Sequence, residues 1–242
     1  MHCVILAAGT ATRLRPLTNE TPKCLLPIGT QPMLERIITA VERAHVHDFT
    51  IVLGFQQQKI RDFIAEKFPG LSVRFIVNAD YASTNNAFSL LMAHASVGQD
   101  GMLLLDSDIL FDETILGLLL SSGHESCLAV RTVGEIGDEE IKVRINPARE
   151  ILEIGKHVPL ASTYGESIGI EKFSREAVQI LFHTLQKRVI AEHRVNEYYE
   201  ASFQEMIDGG SLLFAEDVGM RRCMEVDTID DLRKAETIFA AP

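Results

Sequence analysis

The start of the chain constrains it most. The apolar run Val4-Ile-Leu-Ala7 empties straight into Ala8-Gly9-Thr10-Ala11, and Arg13, Arg15 and Lys23 follow within one loop. Residues 2–7 read as a buried strand, because the run carries β-branched and apolar residues with no polar alternation. Small residues after such a strand let backbone N–H groups approach a ligand closely, since little side chain blocks the way. Cations placed just beyond are suited to neutralising a polyphosphate. These features describe a nucleotide-phosphate site at the exit of a first strand. Two common phosphate loops do not fit: Gly9-Thr-Ala-Thr-Arg-Leu14 lacks the glycines of G-x-G-x-x-G, and no G-x-x-x-x-G-K-[ST] occurs.

Strand and helix patterns then alternate. Residues 33–44 form an amphipathic helical pattern, Phe49–Leu53 a strand, 58–68 a helix and Val73–Val77 a strand. Asn85–Ala95 reads as a helix capped by Ser83 or Thr84, and Met102–Leu105 as a short buried strand ending in Asp106-Ser-Asp108. Alternation at this spacing predicts βαβ units, hence an α/β fold: a Rossmann-like mixed, mostly parallel sheet with helices on both faces. After about residue 125 the texture changes. Residues 126–131, 141–145 and 151–154 are short strands around Asn146-Pro147, which predicts a small antiparallel subregion. Helices are expected at 174–190 and 197–207, a strand at 211–215, then Cys223–Val226 and a helix from Thr228.

Composition excludes several classes. A formal net charge of −11 with no basic stripe argues against nucleic acid as a partner. Cys3, Cys24, Cys127 and Cys223 lie far apart without a C-x-x-C pair, as expected of reduced thiols in the cytoplasm. No apolar run approaches the roughly 20 residues of a membrane span, and residues 1–9 lack the features of a signal peptide.

The order of residues adds a resemblance. Leu6-Ala-Ala-Gly-Thr-Ala-Thr-Arg-Leu-Arg-Pro-Leu-Thr18, with Pro22-Lys-Cys-Leu-Leu-Pro27, resembles the signature loop of the nucleoside-triphosphate transferase family, the sugar and alditol nucleotidyltransferases. Ala11 stands where that family usually has its second glycine. If the position needs φ > 0, alanine costs about 1 kcal/mol relative to glycine; if it needs only a small side chain, alanine serves. The intact remainder of the motif favours the second reading. Asn78-Ala-Asp-Tyr-Ala-Ser-Thr-Asn-Asn-Ala-Phe-Ser-Leu90 is similar to the corresponding segment of phosphocholine and 2-aminoethylphosphonate cytidylyltransferases.

The resemblance implies a nucleotidyltransferase domain over residues 1–242, with a nucleotide-binding part at 1–125 and an acceptor-binding part at 126–242. It implies Mg²⁺-dependent transfer from CTP to a small phosphorylated or phosphonate amine, with pyrophosphate released. Asp108 aligns with a metal-binding aspartate, and Asp106 is supporting. In Met224-Glu-Val-Asp-Thr-Ile-Asp-Asp-Leu232, capping accounts for Thr228, Asp230 and Asp231 but leaves Asp227, which by resemblance is the second metal ligand. Arg13 and Lys23 would hold the triphosphate and Lys156 the acceptor's phosphate. The backbone of Leu6, Ala7, Ala8, Gly9, Thr10 and Ala11 would meet the nucleotide, with Asn78, Asn85 and Asn86 beside it; asparagines also suit caps and turns.

Gly165-Glu-Ser-Ile-Gly-Ile170, which contains Glu166 and Gly169, resembles a strand beside the acceptor. For a cationic head group the candidates are Glu140, Glu166, Glu197, Glu225 and Tyr198. The chain has no tryptophan, and Tyr164, Tyr198 and Tyr199 are the only tyrosines of its later half. Because aromatic cages hold quaternary ammonium and carboxylates hold primary ammonium, a primary-amine acceptor is favoured. The rival expectations are a sugar-1-phosphate or inositol-1-phosphate nucleotidyltransferase and a catalytically silent nucleotide-binding regulatory domain. The sequence leaves the oligomeric state open.

Overall fold

A computed structural model describes residues 1–239. The first strand, β1 (His2–Ala7), is buried along its whole length. A short hairpin of β2 (Pro27–Ile28) and β3 (Gln31–Pro32) leads into α1 (Met33–Arg43), followed by β4 (Asp48–Leu53), α2 (Gln57–Lys67) and β5 (Val73–Val77). Helix α1 buries Leu34, Ile37, Ile38 and Val41, the i, i+3, i+4, i+7 stripe that made it legible. Next come α3 (Asn86–Met92), α4 (His94–Val97), β6 (Met102–Asp106), β7 (Ile109–Phe111), α5 (Thr114–Ser121) and β8 (Cys127–Arg131). The remainder is β9 (Lys142–Ile145), β10 (Ile151–Gly155), β11 (Gly165–Phe173), α6 (Arg175–Leu185), α7 (Glu200–Asp208), β12 (Phe214–Asp217), β13 (Cys223–Glu225) and α8 (Ile229–Phe239).

The main sheet is mixed, with order β10-β9-β11-β6-β1-β4-β5, and β8 and β12 branch from β11. Its centre, β6-β1-β4-β5, is parallel. Strand β11 runs antiparallel to β6, β8 and β9, so the later segment extends the same sheet. One apolar layer lies under α1, α2 and α5, and includes Ile37, Ile60 and Leu116. A second lies under α3, α6 and α7, and includes Leu90, Leu181 and Phe203. Among the described residues no helix is long and apolar enough to cross a membrane.

Several boundaries differ from the sequence expectations for physical reasons. The cap of α3 is Asn85, whose side chain accepts from Asn86 N, not Ser83 or Thr84. Those two residues instead close a turn on the Asp80 carbonyl. The helix expected from 197 begins at Glu200, because 195–199 is a strap stapled to the start of α3: Asn85 N and Ala87 N donate to the carbonyls of Val195 and Glu197. The strand expected at 211–215 forms at Phe214–Asp217, where β8 offers its parallel edge. Helix α5, nearly all apolar, and the three-residue β7 carry too little periodicity to be read from sequence.

Candidate active site

Chain topology puts the exits of two parallel strands side by side. Leu6 of β1 is in register with Asp106 of β6, and from β1 the chain proceeds to β4 on one side while β6 fills the other. Ligands of open α/β sheets bind at such a switch point. Two residues beyond β6, Asp108 precedes β7, which pairs antiparallel with β13. That pairing brings a distant segment back: Val226 N donates to the Asp108 carbonyl at 3.1 Å, and Asp227 follows. Thr228 and Asp231 cap α8 reciprocally, with Asp231 N donating to Thr228 Oγ1 and Thr228 N to Asp231 Oδ2. Capping is thus complete without Asp227, which points into the cleft.

At the floor, Lys23 Nζ donates to Asp108 Oδ2 at 2.8 Å and also to Asp227 Oδ1. Arg13 reaches Asp227 Oδ2 at 2.6 Å. Only 12 % of the Lys23 side chain is exposed. Burial alone would lower its pKa, but Asp108 and Asp227 override burial and hold the ammonium protonated. Burial likewise opposes ionisation of Asp227, yet Lys23 and Arg13 bring its pKa below the usual carboxylate value. Such an arrangement is weak evidence for stability, because desolvation offsets most of the attraction. It is a cation position between two hard oxygen donors. Among the described residues no group of three or more histidine, cysteine, aspartate or glutamate side chains is arranged to hold a metal. Two carboxylates that leave other positions to water and phosphate fit magnesium rather than an all-protein cage.

Above this floor opens a cleft of about 550 Å³. Leu6, Ala7, Ala8, Gly9, Thr10, Ala11, Arg13 and Lys23 line one wall, joined by Asn85, Asn86 and Asp106. Asp108 and Asp227 lie at the floor, and Lys156, Glu140, Glu166, Tyr198 and Glu225 line the remainder. The structure therefore gathers most of the candidates around one space. Ala11 corrects the sequence reading: at φ 47°, ψ 49° it adopts the left-handed conformation, so the position does call for φ > 0. Thr18 Oγ1 donates to its carbonyl at 2.7 Å and holds the turn.

Three candidates, Asn78, Gly169 and Glu197, stand outside the cleft lining. Asn78 is buried and spends its amide on Thr84 and Ser89, and its Oδ1 accepts from Asp80 N. Gly169, at φ 71°, lets Asp106 approach: a Cβ there would lie 2.8 Å from Asp106 Oδ2. Glu197 is also diverted, paired with Arg188 at 2.8 Å. Glu166 reaches the cleft but is held by Arg131. Lys156 pairs with Glu139 at 3.0 Å and lies over the Tyr198 ring. Desolvation, then the charges of Asp108 and Asp227, push the Glu225 carboxyl upward.

Sequence reasoning missed Glu200, which lines the cleft, and Glu171, buried behind it. Tyr199 is fully buried, and its hydroxyl donates to Asp106 Oδ2 at 2.8 Å. The local signal was the doublet Tyr198-Tyr199 directly before a glutamate, but only the fold sets that glutamate beside Asp106.

Residues 3–196, with the β1 exit loop, α3 and the Asp108 strand end among them, match the MobA-like NTP transferase domain. The chain belongs to that family. Within it, the chain is 24% identical to choline-phosphate cytidylyltransferase of Streptococcus pneumoniae over 99% of this chain and 98% of that protein. It is also 24% identical to CMP-5'-(3-aminopropyl)phosphonate synthase of Streptomyces rubellomurinus, over all of this chain and 39% of that longer protein. The solved structure of CTP:phosphocholine cytidylyltransferase from Streptococcus pneumoniae superposes with a TM-score of 0.83 at 23% identity, covering 98% of each chain. That superposition establishes the shared MobA-like fold: a mixed sheet flanked by helices with small antiparallel sheets.

Proposed function

We propose that this MobA-like domain is a cytidylyltransferase that moves CMP from CTP to a small phosphorylated or phosphonate amine and releases pyrophosphate. The observation that carries this reading is Lys23, enclosed between Asp108 and Asp227 at the adjoining exits of β1 and β6, with Arg13 beside it. Relatives named as choline-phosphate and aminopropylphosphonate enzymes support the choice of CTP and of the acceptor class.

The chemistry asks little covalent work of the protein. An acceptor phosphate with a second pKa near ~6 is mostly dianionic at neutral pH, so its oxygen needs no general base. That oxygen forms a bond to the α-phosphorus as the bond to the β-phosphate oxygen breaks, and the electron pair leaves with pyrophosphate. Catalysis then consists of bringing two anions together and neutralising the charge that develops. Arg13 and Lys23 hold the triphosphate, the small-residue loop 6–11 admits its backbone-facing edge, and Lys156 holds the acceptor's anionic end. Asp108 and Asp227 would hold Mg²⁺, which when bound there supplies charge neutralisation at phosphate oxygens.

Pyrophosphate release from CTP, with and without Mg²⁺, tests the assignment. Asp108→Asn and Asp227→Asn are each expected to lower kcat by about 10³-fold or more, with unfolding midpoints close to wild type because both side chains face the cleft. Near wild-type turnover in either variant would remove that aspartate from the site. A folded wild-type protein that binds CTP but releases no pyrophosphate with any acceptor would instead be a silent nucleotide-binding domain.

A further inference from the structure

On the acceptor side of the cleft lie carboxyl groups that no ion pair accounts for. Glu171 of β11 is 1 % exposed and Glu200 in the first turn of α7 is 7 % exposed. Each has an Oε2 with no hydrogen-bond partner among the described residues. Asp106 lines the cleft with Glu200, and its Oδ2 accepts from the Tyr199 hydroxyl. Geometry draws the three together: Glu200 directly follows Tyr199, whose hydroxyl binds Asp106, and Glu171 lies two residues beyond Gly169, whose backbone approaches the Asp106 carboxylate. Glu200 and Asp106 line the cleft beside Lys156; Glu171 does not reach it. A glutamate in a helix's first turn favours the dipole. That would explain a negative charge at 200 equally well were it exposed; it does not explain a buried carboxyl with an orphaned oxygen, which is costly to leave so.

We propose that Glu200, with Asp106 beside it, is the seat of the acceptor's ammonium group, and that this seat selects a primary over a quaternary amine. The proposal rests on the cytidylyltransferase reading above and sharpens it. A primary ammonium brings three N–H donors and so satisfies both carboxylates. A trimethylammonium brings none and would leave Glu200 Oε2 unpaired. Aromatic walls, the alternative means of holding a quaternary nitrogen, are few here: Tyr198 and Tyr81 are the only aromatic side chains among the residues lining the cleft. The chain has no tryptophan, Tyr199 is buried with its hydroxyl spent on Asp106, and the Tyr198 ring already carries Lys156 Nζ at 4.9 Å from its centroid. The opposite end of the acceptor is then the phosphate or phosphonate at Lys156, so both ends of one short zwitterion are held.

The test is a calorimetric titration of 2-aminoethylphosphonate and its N-methyl, N,N-dimethyl and N,N,N-trimethyl derivatives. Each is added to the protein with Mg²⁺ and a non-cleavable α,β-methylene CTP analogue. Affinity is expected to fall with methylation, by at least about tenfold from the primary to the quaternary member. Glu200→Gln is expected to lose about tenfold for the primary amine, to change the trimethyl derivative by less than about twofold, and so to erase the preference. Equal or tighter binding of the trimethyl derivative, no binding of any member, or an unchanged preference in E200Q would overturn the proposal. Should E200Q fail to fold, the wild-type series decides alone. Turnover separates the two claims. Wild-type pyrophosphate release with a flat methylation series removes the ammonium seat only, whereas a clear series without turnover from CTP removes the transferase reading and leaves the seat.

Discussion

The two sides of the cleft handle charge differently. On the β1 side, the cations meet partners: Lys23 is bracketed by Asp108 and Asp227, and Arg13 also reaches Asp227. On the α7 side, Glu171 and Glu200 carry orphaned oxygens, and the nearby cation, Lys156, is taken up by Glu139. Balanced pairs in a polar, partly open floor can exchange partners for a polyanion at small net cost, because the charges are already compensated before and after. Unbalanced buried carboxyls store a cost that a cationic ligand relieves. The first side is built for an anion and the second for a molecule with a positive end.

The largest effect is expected on the balanced side. Lys23→Met removes the one cation shared by both floor carboxylates, and kcat/KM in saturating Mg²⁺ is expected to fall about 10³-fold. A loss of tenfold or less in steady-state kinetics would mean that Lys23 is a structural bridge and the metal alone organises the triphosphate.

On the unbalanced side the expected effect is on stability. Burial raises the Glu200 carboxyl from 4.5 to about 7. A raised carboxyl binds its proton more tightly in the folded state, so folding stability declines as pH rises from below 4.5 through about 7, and the penalty is complete above that. Glu200→Gln removes the penalty. Denaturant unfolding should therefore find E200Q more stable than wild type by on the order of 1–3 kcal/mol at pH 8 and nearly equal to it at pH 4. The same difference at both pH values would show that Glu200 is not the titrating group.

The contrast also explains what could be read from the sequence. Locally encoded features were legible: the Val73–Val77 strand, the α1 stripe, the Thr228 cap and the cations following a small-residue turn all rest on neighbours in the chain. Capping by Thr228 and Asp231 left Asp227 unexplained, and the family resemblance alone marked it as a metal ligand. The α7 side was not. Glu171 lies in a strand that also buries Glu166, Ser167 and Lys172 among Ile168, Ile170 and Phe173, so nothing local singles it out, and its proximity to Asp106 and Glu200 exists only after β11 pairs with β6 and α7 packs against the sheet. Asn78 was misplaced because one asparagine can serve a ligand or a turn, and the choice depends on whether Ser89 and Thr84 come within reach. Ala11 was misread because the motif's completeness says nothing about φ at one residue.

That residue yields the smallest predicted effect. With Ala11 at φ 47°, glycine removes the steric cost of a Cβ in the left-handed region. Ala11→Gly should stabilise the protein by about 0.5–1 kcal/mol in denaturant unfolding, with little change in acceptor KM, because the turn belongs to the nucleotide wall. Destabilisation by a similar amount would indicate that the Ala11 methyl group packs against Leu14 and its neighbours more usefully than its backbone is strained.

The transferase assignment is tested most directly by initial rates of Mg²⁺-dependent pyrophosphate release for CTP, UTP, dTTP and ATP, each paired with 2-aminoethylphosphonate, phosphoethanolamine, phosphocholine, inositol 1-phosphate and glucose 1-phosphate. Turnover is expected with CTP and the phosphorylated or phosphonate amines, highest with the two primary amines. Rates with UTP or dTTP and none with CTP, or a preference for glucose 1-phosphate or inositol 1-phosphate over every amine, would contradict it.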